Sequence, residues 1–280
     1  MRARIWGARG SLATPGPETL RFGGNTSCVE VRLEDGTLII LDAGTGIRGL
    51  GLSLVDGPPS TVHLCLTHLH LDHIEGLGFF TPLWLAETDL HVWGPPSPLR
   101  DLRERIARYF SPPLFPMQLS DVPARMTFHD VPADEWSIGT ARLCAQSVSH
   151  PGPTVGYRLE EGGRSIAYIP DHEPALGNRL EWLSPDWISG FRIADRASVL
   201  LHDAQYTEEE YAAKTGWGHS SVNDAVAFAQ VASVERLVLF HHDPLHADGD
   251  LDRLERLARE LWSGNGSGPE LAYEGMDLEP

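Results

Sequence analysis

Lysine is almost missing from this 280-residue chain: Lys214 is the single one, and arginine supplies the rest of the 22 basic side chains. Against them stand 39 acidic residues, for a formal net charge of −17. A surface that acidic repels phosphate backbones and anionic lipid, which argues against a broad nucleic-acid footprint or a membrane-surface role. A small anionic substrate held by a metal stays open, because the ion's own charge dominates locally.

Cysteine is scarce as well. Cys28, Cys65 and Cys144 lie inside apolar stretches, without the short spacings of a zinc ribbon or redox pair, and read as buried thiols packed as small hydrophobes. No stretch approaches the ~20 apolar residues of a membrane span, and the opening Met1-Arg2-Ala3-Arg4-Ile5-Trp6 lacks the apolar centre of a signal peptide. The expected compartment is the reducing cytoplasm, with no membrane partner. Repeats, low-complexity tracts and long linkers are absent too, so one domain over residues 1–280 is expected. With 41% hydrophobic residues, and a length at which about three quarters of the unfolded surface is buried, disorder is excluded as the main state.

What is present is a succession of short apolar runs between turn residues. Arg2 to Trp6, Thr26 to Leu33 and Leu38 to Asp42 read as strands, as does Val62 to Thr67, which ends at His68 before a helix near Ile74 to Phe80. A strand at Leu90 to Trp93 leads into an amphipathic helix carrying Leu99, Leu102, Ile106 and Tyr109, and Pro112 to Pro123 is a loop. Strands return at Ala141 to Val148, then Thr154 to Leu159 pairs with Arg164 to Ile169. Ser198 to His202 and Arg236 to Phe240 are further strands, and Val222 to Ala232 and Leu251 to Leu261 are helices. Two groups of strands with helices outside both predict an α/β fold, a four-layer αββα sandwich.

The chemistry concentrates in His68-Leu69-His70-Leu71-Asp72-His73, between an apolar strand and a helix. His68 and His70 project to the same side of an extended turn and Asp72 and His73 follow at the helix entrance, so four ligand-type side chains converge. Imidazole with carboxylate suits zinc first, and manganese or iron when carboxylate is prominent. Further on, His150, Asp171 and His241 each end an apolar strand, where the loops of a layered fold gather.

These residues resemble the metallo-β-lactamase superfamily, whose members share HxHxDH followed by a later His, a later Asp and a final His at strand ends. The likeness runs from Gly23-Gly24-Asn25-Thr26-Ser27 and Leu41-Asp42-Ala43-Gly44 to Leu237-Val238-Leu239-Phe240-His241. It implies two divalent ions, one on His68, His70, His150 and Asp171, the other on Asp72, His73, Asp171 and His241, with Asp171 bridging. His242 is the alternative to His241 as last ligand; the register ending at Phe240 favours His241. His172 and His246 are left as non-ligands.

Leu201-His202-Asp203-Ala204-Gln205-Tyr206 and Gly218-His219-Ser220-Ser221 resemble the HEAT and HST segments of ribonuclease Z and related phosphodiesterases. In that group a histidine at the His219 position stabilises the phosphoryl transition state or the leaving oxygen, and the acidic residue hydrogen-bonds to it; here that acid is Asp203. The chemistry stands apart from the name: a departing alkoxide needs a proton or a cation, and an imidazolium held by a carboxylate supplies one near neutral pH. Aspartate is shorter than the family glutamate, so a longer or water-bridged contact to His219 is expected. Ser220 offers an N-cap to the following helix.

Between His150 and Asp171 there is room for one hairpin and none for the arm with which ribonuclease Z grips transfer RNA, so tRNA is set aside as a partner. The expectation is a dinuclear metal-dependent phosphodiesterase acting on a small nucleotide-like or cyclic phosphodiester, with Asp72 orienting the metal-bound hydroxide and His219 and Asp203 assisting departure. The alternative is an acyl hydrolase of lactamase or thioesterase type, which does not need the His219–Asp203 pair. A non-catalytic metal-bound carrier comes third.

The opening Gly7-Ala8-Arg9-Gly10-Ser11 and Arg21-Phe22-Gly23-Gly24-Asn25-Thr26 resembles cyclic-phosphodiesterase-like members. Arg9 and Arg21 are open to either phosphate contact or plain solvation. Trp84, Trp93, Trp136, Trp182, Trp187 and Trp217 read as core or interface, with Trp217, beside His219, the exception. A homodimer is the default assembly.

Overall fold

The computed structural model describes residues 1–264 and 268–280. In chain order the first half gives β1 (Arg2–Gly7), β2 (Cys28–Arg32), β3 (Leu38–Leu41), α1 (Gly46–Ser53), β4 (Thr61–Cys65), α2 (Leu71–Ile74), β5 (Asp89–Gly94), α3 (Leu102–Tyr109) and β6 (Arg125–Asp130). The second half gives β7 (Trp136–Ile138), β8 (Ala141–Ser147), β9 (Val155–Glu161), β10 (Arg164–Ile169), α4 (Phe191–Ala194), β11 (Val199–Asp203), α5 (Glu208–Ala212), α6 (Val222–Val231), β12 (Leu237–Phe240), α7 (Asp248–Leu261), β13 (Glu270–Leu271) and β14 (Asp277–Leu278). They form two seven-stranded sheets, ordered β14-β1-β2-β3-β4-β5-β6 and β13-β12-β11-β10-β9-β8-β7.

The four-residue runs Leu38–Leu41 and Leu237–Phe240 are apolar throughout because both of their faces are covered. Alternate residues enter different cores. Ile39, Leu41, Val238 and Phe240 meet Tyr157, Leu159 and Tyr168 between the sheets. Leu38 and Ile40 instead pack under Ile47, Leu50, Leu102 and Ile106 of α1 and α3, and Leu237 and Leu239 under Ala225, Val226, Leu251 and Leu254 of α6 and α7. The result is the expected αββα order. β3 through β6 run parallel, as do β10 through β13, so the carboxyl ends of β4, β10, β11 and β12 open onto one end of the sandwich. β9 and β10 are antiparallel and turn on Gly162 and Gly163, both at positive φ (60° and 77°), a two-residue hairpin turn that only such residues accept cheaply.

Several expectations need correction. The helix after His73 is not continuous from Ile74 to Phe80: α2 begins at Leu71, and a separate 3-10 turn covers Leu77–Phe79. Gly76 lies between them, where a Cβ would sit 2.1 Å from the Gly44 carbonyl oxygen. Leu99 is solvent-exposed and precedes α3, which starts after Asp101, whose carboxylate accepts from the Glu104 amide. Ser221, not Ser220, caps α6, accepting from the Asp224 amide at 3.0 Å. Cys144 on β8 is only half-buried. Trp182 and Trp187 are exposed rather than core, because Leu180 of the first 3-10 turn and Ile188, just after the second, fill the inward positions.

Near β6 the inter-sheet face carries a ladder of half-buried rings. His63, His91 and His129 stack at centroid distances of 4.9 and 5.3 Å, and the stack continues from His129 through Trp93 (4.1 Å) to Trp136 (5.6 Å).

Candidate metal centre

The site is organised by a residue that makes no approach to the hollow itself. Asp42 leaves β3 in the left-handed region (φ 60°), which turns its carboxylate under the end of β4. There it accepts from the Thr67 amide at 2.8 Å, the Thr67 hydroxyl at 2.9 Å, the Tyr168 hydroxyl at 3.0 Å and His73 Nδ1 at 2.8 Å. Four donors justify the burial of this charge. They also fix the His73 ring with Nε2 pointing the other way.

The same device recurs. His68 Nδ1 meets Thr67 Oγ1 at 3.1 Å, His150 Nδ1 donates to the Gly218 carbonyl at 2.8 Å, and His241 Nδ1 donates to Gln205 Oε1 at 3.1 Å. Each acceptor selects the tautomer whose Nε2 lone pair is free, as metal-holding imidazoles require. His70 turns its Nδ1 to within 3.1 Å of His150 Nε2.

Those lone pairs gather on the two oxygens of one carboxylate. His68 Nε2 and His150 Nε2 each lie 3.6 Å from Asp171 Oδ2. His73 Nε2 and His241 Nε2 lie 3.0 and 3.3 Å from Asp171 Oδ1, and 3.4 and 3.2 Å from Asp72 Oδ2. The structure thus brings His68, His70, His150 and Asp171 into one group and Asp72, His73 and His241 into a second, the donor atoms of each within 4.8 Å of one another.

The donors fit cations. Buried His68 Nε2, His73 Nε2 and Asp171 Oδ1 have no hydrogen-bond partner among the described residues, a cost of about 1–3 kcal/mol each if left so. Asp72 and Asp171 are buried without a lysine or arginine partner among the described ion pairs. Imidazole nitrogen and carboxylate oxygen are donors for zinc, manganese or iron.

His241 leaves β12 at φ 62° and its ring points inward, whereas His242 turns away and its Nε2 meets the Ala272 carbonyl at 2.8 Å. Gly10 makes room for that inward ring: a Cβ there would lie 2.3 Å from His241 Nδ1. Next to it, the Ser11 amide donates to Asp72 Oδ2 at 2.7 Å. The opening segment therefore serves the site through Gly10 and Ser11. Arg9 is fully buried and bonds the carbonyls of Gly23, Asp243 and His246, and Arg21 pairs with Asp252. His172 and His246 bond His202 and Glu210.

His219 stands beside the second group, its ring stacked on His241 at 5.0 Å and 15°. Its Nδ1 meets Asp203 Oδ2 directly at 2.7 Å, so the expected longer or water-bridged contact is corrected. The shorter acid suffices because Asp203 Oδ1 also accepts from the Gln205 and Ser220 amides at 3.1 and 3.2 Å, drawing the chain around His219 toward it. Burial alone would lower the His219 pKa, but the Asp203 charge and hydrogen bond, helped by Asp171 and Asp72, push it up to about 9. Asp203 thus favours the charged form of the ring.

Sequence reasoning assigned no role to Asp42, Gln205 or Glu173. Asp42 and Gln205 stand within segments that carry the family resemblance, but an acid or amide at a strand end carries no ligand signal until its neighbours are placed.

The family described as beta-lactamase superfamily domain matches residues 37–242, which include every residue of the two groups and the His219–Asp203 pair. The chain belongs to the metallo-β-lactamase superfamily. Among curated relatives of this superfamily member, a ribonuclease Z of Thermococcus gammatolerans is 26% identical over 259 residues, covering 78% of this chain and 78% of that protein. Among solved structures, the metallo-β-lactamase fold protein YhfI of Bacillus subtilis is 16% identical with a TM-score of 0.70, covering 100% of this chain and 98% of that one. A diphosphatase of the PhnP family is 17% identical with a TM-score of 0.68, covering 100% and 97%. These two likenesses speak to the fold. Family and metal-type clusters together support a metal-dependent hydrolase. Among the described residues no helix is long and apolar enough to cross a membrane.

Proposed function

We propose that this superfamily member is a dinuclear metal-dependent phosphodiesterase acting on small nucleotide-like or cyclic phosphodiesters. The observation that carries the reading is the His219–Asp203 contact of 2.7 Å beside the two clusters. A departing alkoxide needs a proton, which a carboxylate-held imidazole supplies, whereas a thiolate leaves a thioester without one.

His68, His70, His150 and Asp171 would hold one ion, and Asp72, His73, His241 and the other oxygen of Asp171 a second. Bound there, zinc, manganese or iron would supply an activated hydroxide and neutralise charge on the phosphoryl oxygens. Asp72 Oδ2, held by the Ser11 amide, would fix the direction of attack. His219 has Nδ1 committed to Asp203, so Nε2 is the atom left to give a proton to the leaving oxygen. The 26% identity to a protein named ribonuclease Z supports phosphodiester chemistry. Transfer RNA is a poor fit, since Gly162 and Gly163 close the hairpin between His150 and Asp171 without an arm and the net charge is −17. The free thiols of Cys28, Cys65 and Cys144 favour a reducing, cytoplasmic setting.

The test is turnover of bis(p-nitrophenyl) phosphate and of a dinucleoside monophosphate against nitrocefin and a thioester, for the parent and His219→Ala. The expected result is diester cleavage by the parent and, in the variant, a loss of about 10²-fold or more on the dinucleoside monophosphate, whose alkoxide needs a proton, with metal content kept. Turnover of only the acyl substrates, insensitive to His219→Ala, would reject the proposal.

A further inference from the structure

Glu173 lies two residues beyond Asp171, is 1% exposed, and takes no part in the chemistry described so far. Its carboxylate accepts from the Gly216 amide at 2.8 Å, the Gly218 amide at 2.8 Å and the Tyr211 hydroxyl at 2.8 Å. Gly216 and Gly218 both sit at positive φ, 87° and 90°, and Gly218 has no room for a side chain, since a Cβ would lie 2.5 Å from His150 Nδ1. The Trp217 amide donates to the Lys214 carbonyl at 3.0 Å, and the Gly218 carbonyl receives His150 Nδ1 at 2.8 Å. The residue between the two clamped glycines is thus fixed at the level of the backbone. Yet the residue is 61% exposed.

An indole is among the most costly side chains to leave in water, and fastening its backbone with a buried carboxylate is a device for presenting it. Trp182 and Trp187 are also exposed, but the Arg179 guanidinium covers the Trp182 ring at 5.1 Å, and neither residue adjoins His219 or a member of the two clusters in the chain. Trp217 has no ring or cation stacked on it among the described residues. It stands two residues from His219, within about 7 Å along the backbone. An oxygen that takes a proton from His219 therefore lies beside the chain segment that carries this ring.

We infer that Trp217 is a stacking platform for a flat heteroaromatic ring on the leaving-group side of the substrate, which makes the substrate class a nucleoside-bearing phosphodiester rather than a sugar or aliphatic one. The inference rests on the phosphodiesterase reading for the place of the leaving oxygen. An indole face binds any nucleobase, so the platform selects for a base without selecting which. The Glu173 clamp holds the backbone that carries the ring before substrate arrives, which spares part of the ordering cost of binding.

The test is calorimetric binding of adenosine 5′-monophosphate and ribose 5-phosphate to the metal-loaded full chain as parent, Trp217→Phe and Trp217→Ala, with bis(p-nitrophenyl) phosphate turnover of the parent measured alongside. The expected result is that the parent holds the nucleotide about tenfold or more tighter than the sugar phosphate, Trp217→Phe keeps most of that margin, and Trp217→Ala loses it while ribose 5-phosphate binds all three alike. No margin in the parent, a margin kept in Trp217→Ala, or equal weakening of both ligands overturns the inference. Diester turnover without a Trp217-dependent margin rejects the platform alone. A Trp217-dependent margin without diester turnover rejects the phosphodiesterase reading alone.

Discussion

At the scale of single residues, the centre depends on atoms that never face the hollow. Asp42 holds His73 by one oxygen and ties down the Thr67 side chain against which His68 is set. Asp42→Asn keeps the size but puts an amide where a charged acceptor takes Nδ1–H, so His73 loses both its tautomer and part of its basicity. The expected outcome is a drop in metal affinity of about 10–100-fold with the fold kept, read by metal analysis and far-UV circular dichroism. Undiminished metal content would show that His73 is set by packing alone. The ligand-type residues themselves were legible in the sequence, because His68 to His73 are contiguous and His150, Asp171 and His241 each close an apolar run. Asp42 was not, since its partner strand β4 lies beside β3 only through the parallel register of Leu41 with Cys65.

At the scale of elements, the same contrast holds between runs that announce themselves and contacts that must be built. β3 and β12 were readable from unbroken apolar sequence. α1 was not, because Gly46, Gly49 and Gly51 make a poor helix in isolation. It forms where those glycines let it lie against backbone: a Cβ at Gly46 would be 2.6 Å from the Trp6 carbonyl carbon, and one at Gly51 2.7 Å from the Thr81 amide. β6 was missed because its alternation is polar on the face bearing Thr127 and His129. That face belongs to the imidazole ladder, where burial, then His91 and His129, push the His63 pKa down to about 4 against the pull of Asp89. The folded pKa lies below the unfolded value of about 6.5, so neutral His63 contributes stability that is present above pH 6.5 and lost as pH falls toward 4. Thermal melts should therefore show a smaller fall in Tm from pH 7 to pH 4.5 for His63→Phe than for the parent. Equal falls would remove His63 from the acid response.

At the scale of the whole molecule, the buried Asp72 and Asp171 are charges that the fold accepts on the expectation of cations. Ions that bind only the folded chain raise its stability by RT ln(1 + [L]/Kd), about 2.7 kcal/mol at a hundredfold excess over Kd. Chelation should lower Tm and zinc or manganese should restore it; an indifferent Tm would argue that the clusters bind no ion. The donors come from both halves of the sandwich: His68, His70, Asp72 and His73 follow β4 of one sheet, while His150, Asp171 and His241 follow β8, β10 and β12 of the other. An ion seated among them would rivet the two leaves at one rim only. Loading should then slow amide exchange most at that rim, and the leaves should come apart first along the opposite margin, as a book opens away from its spine.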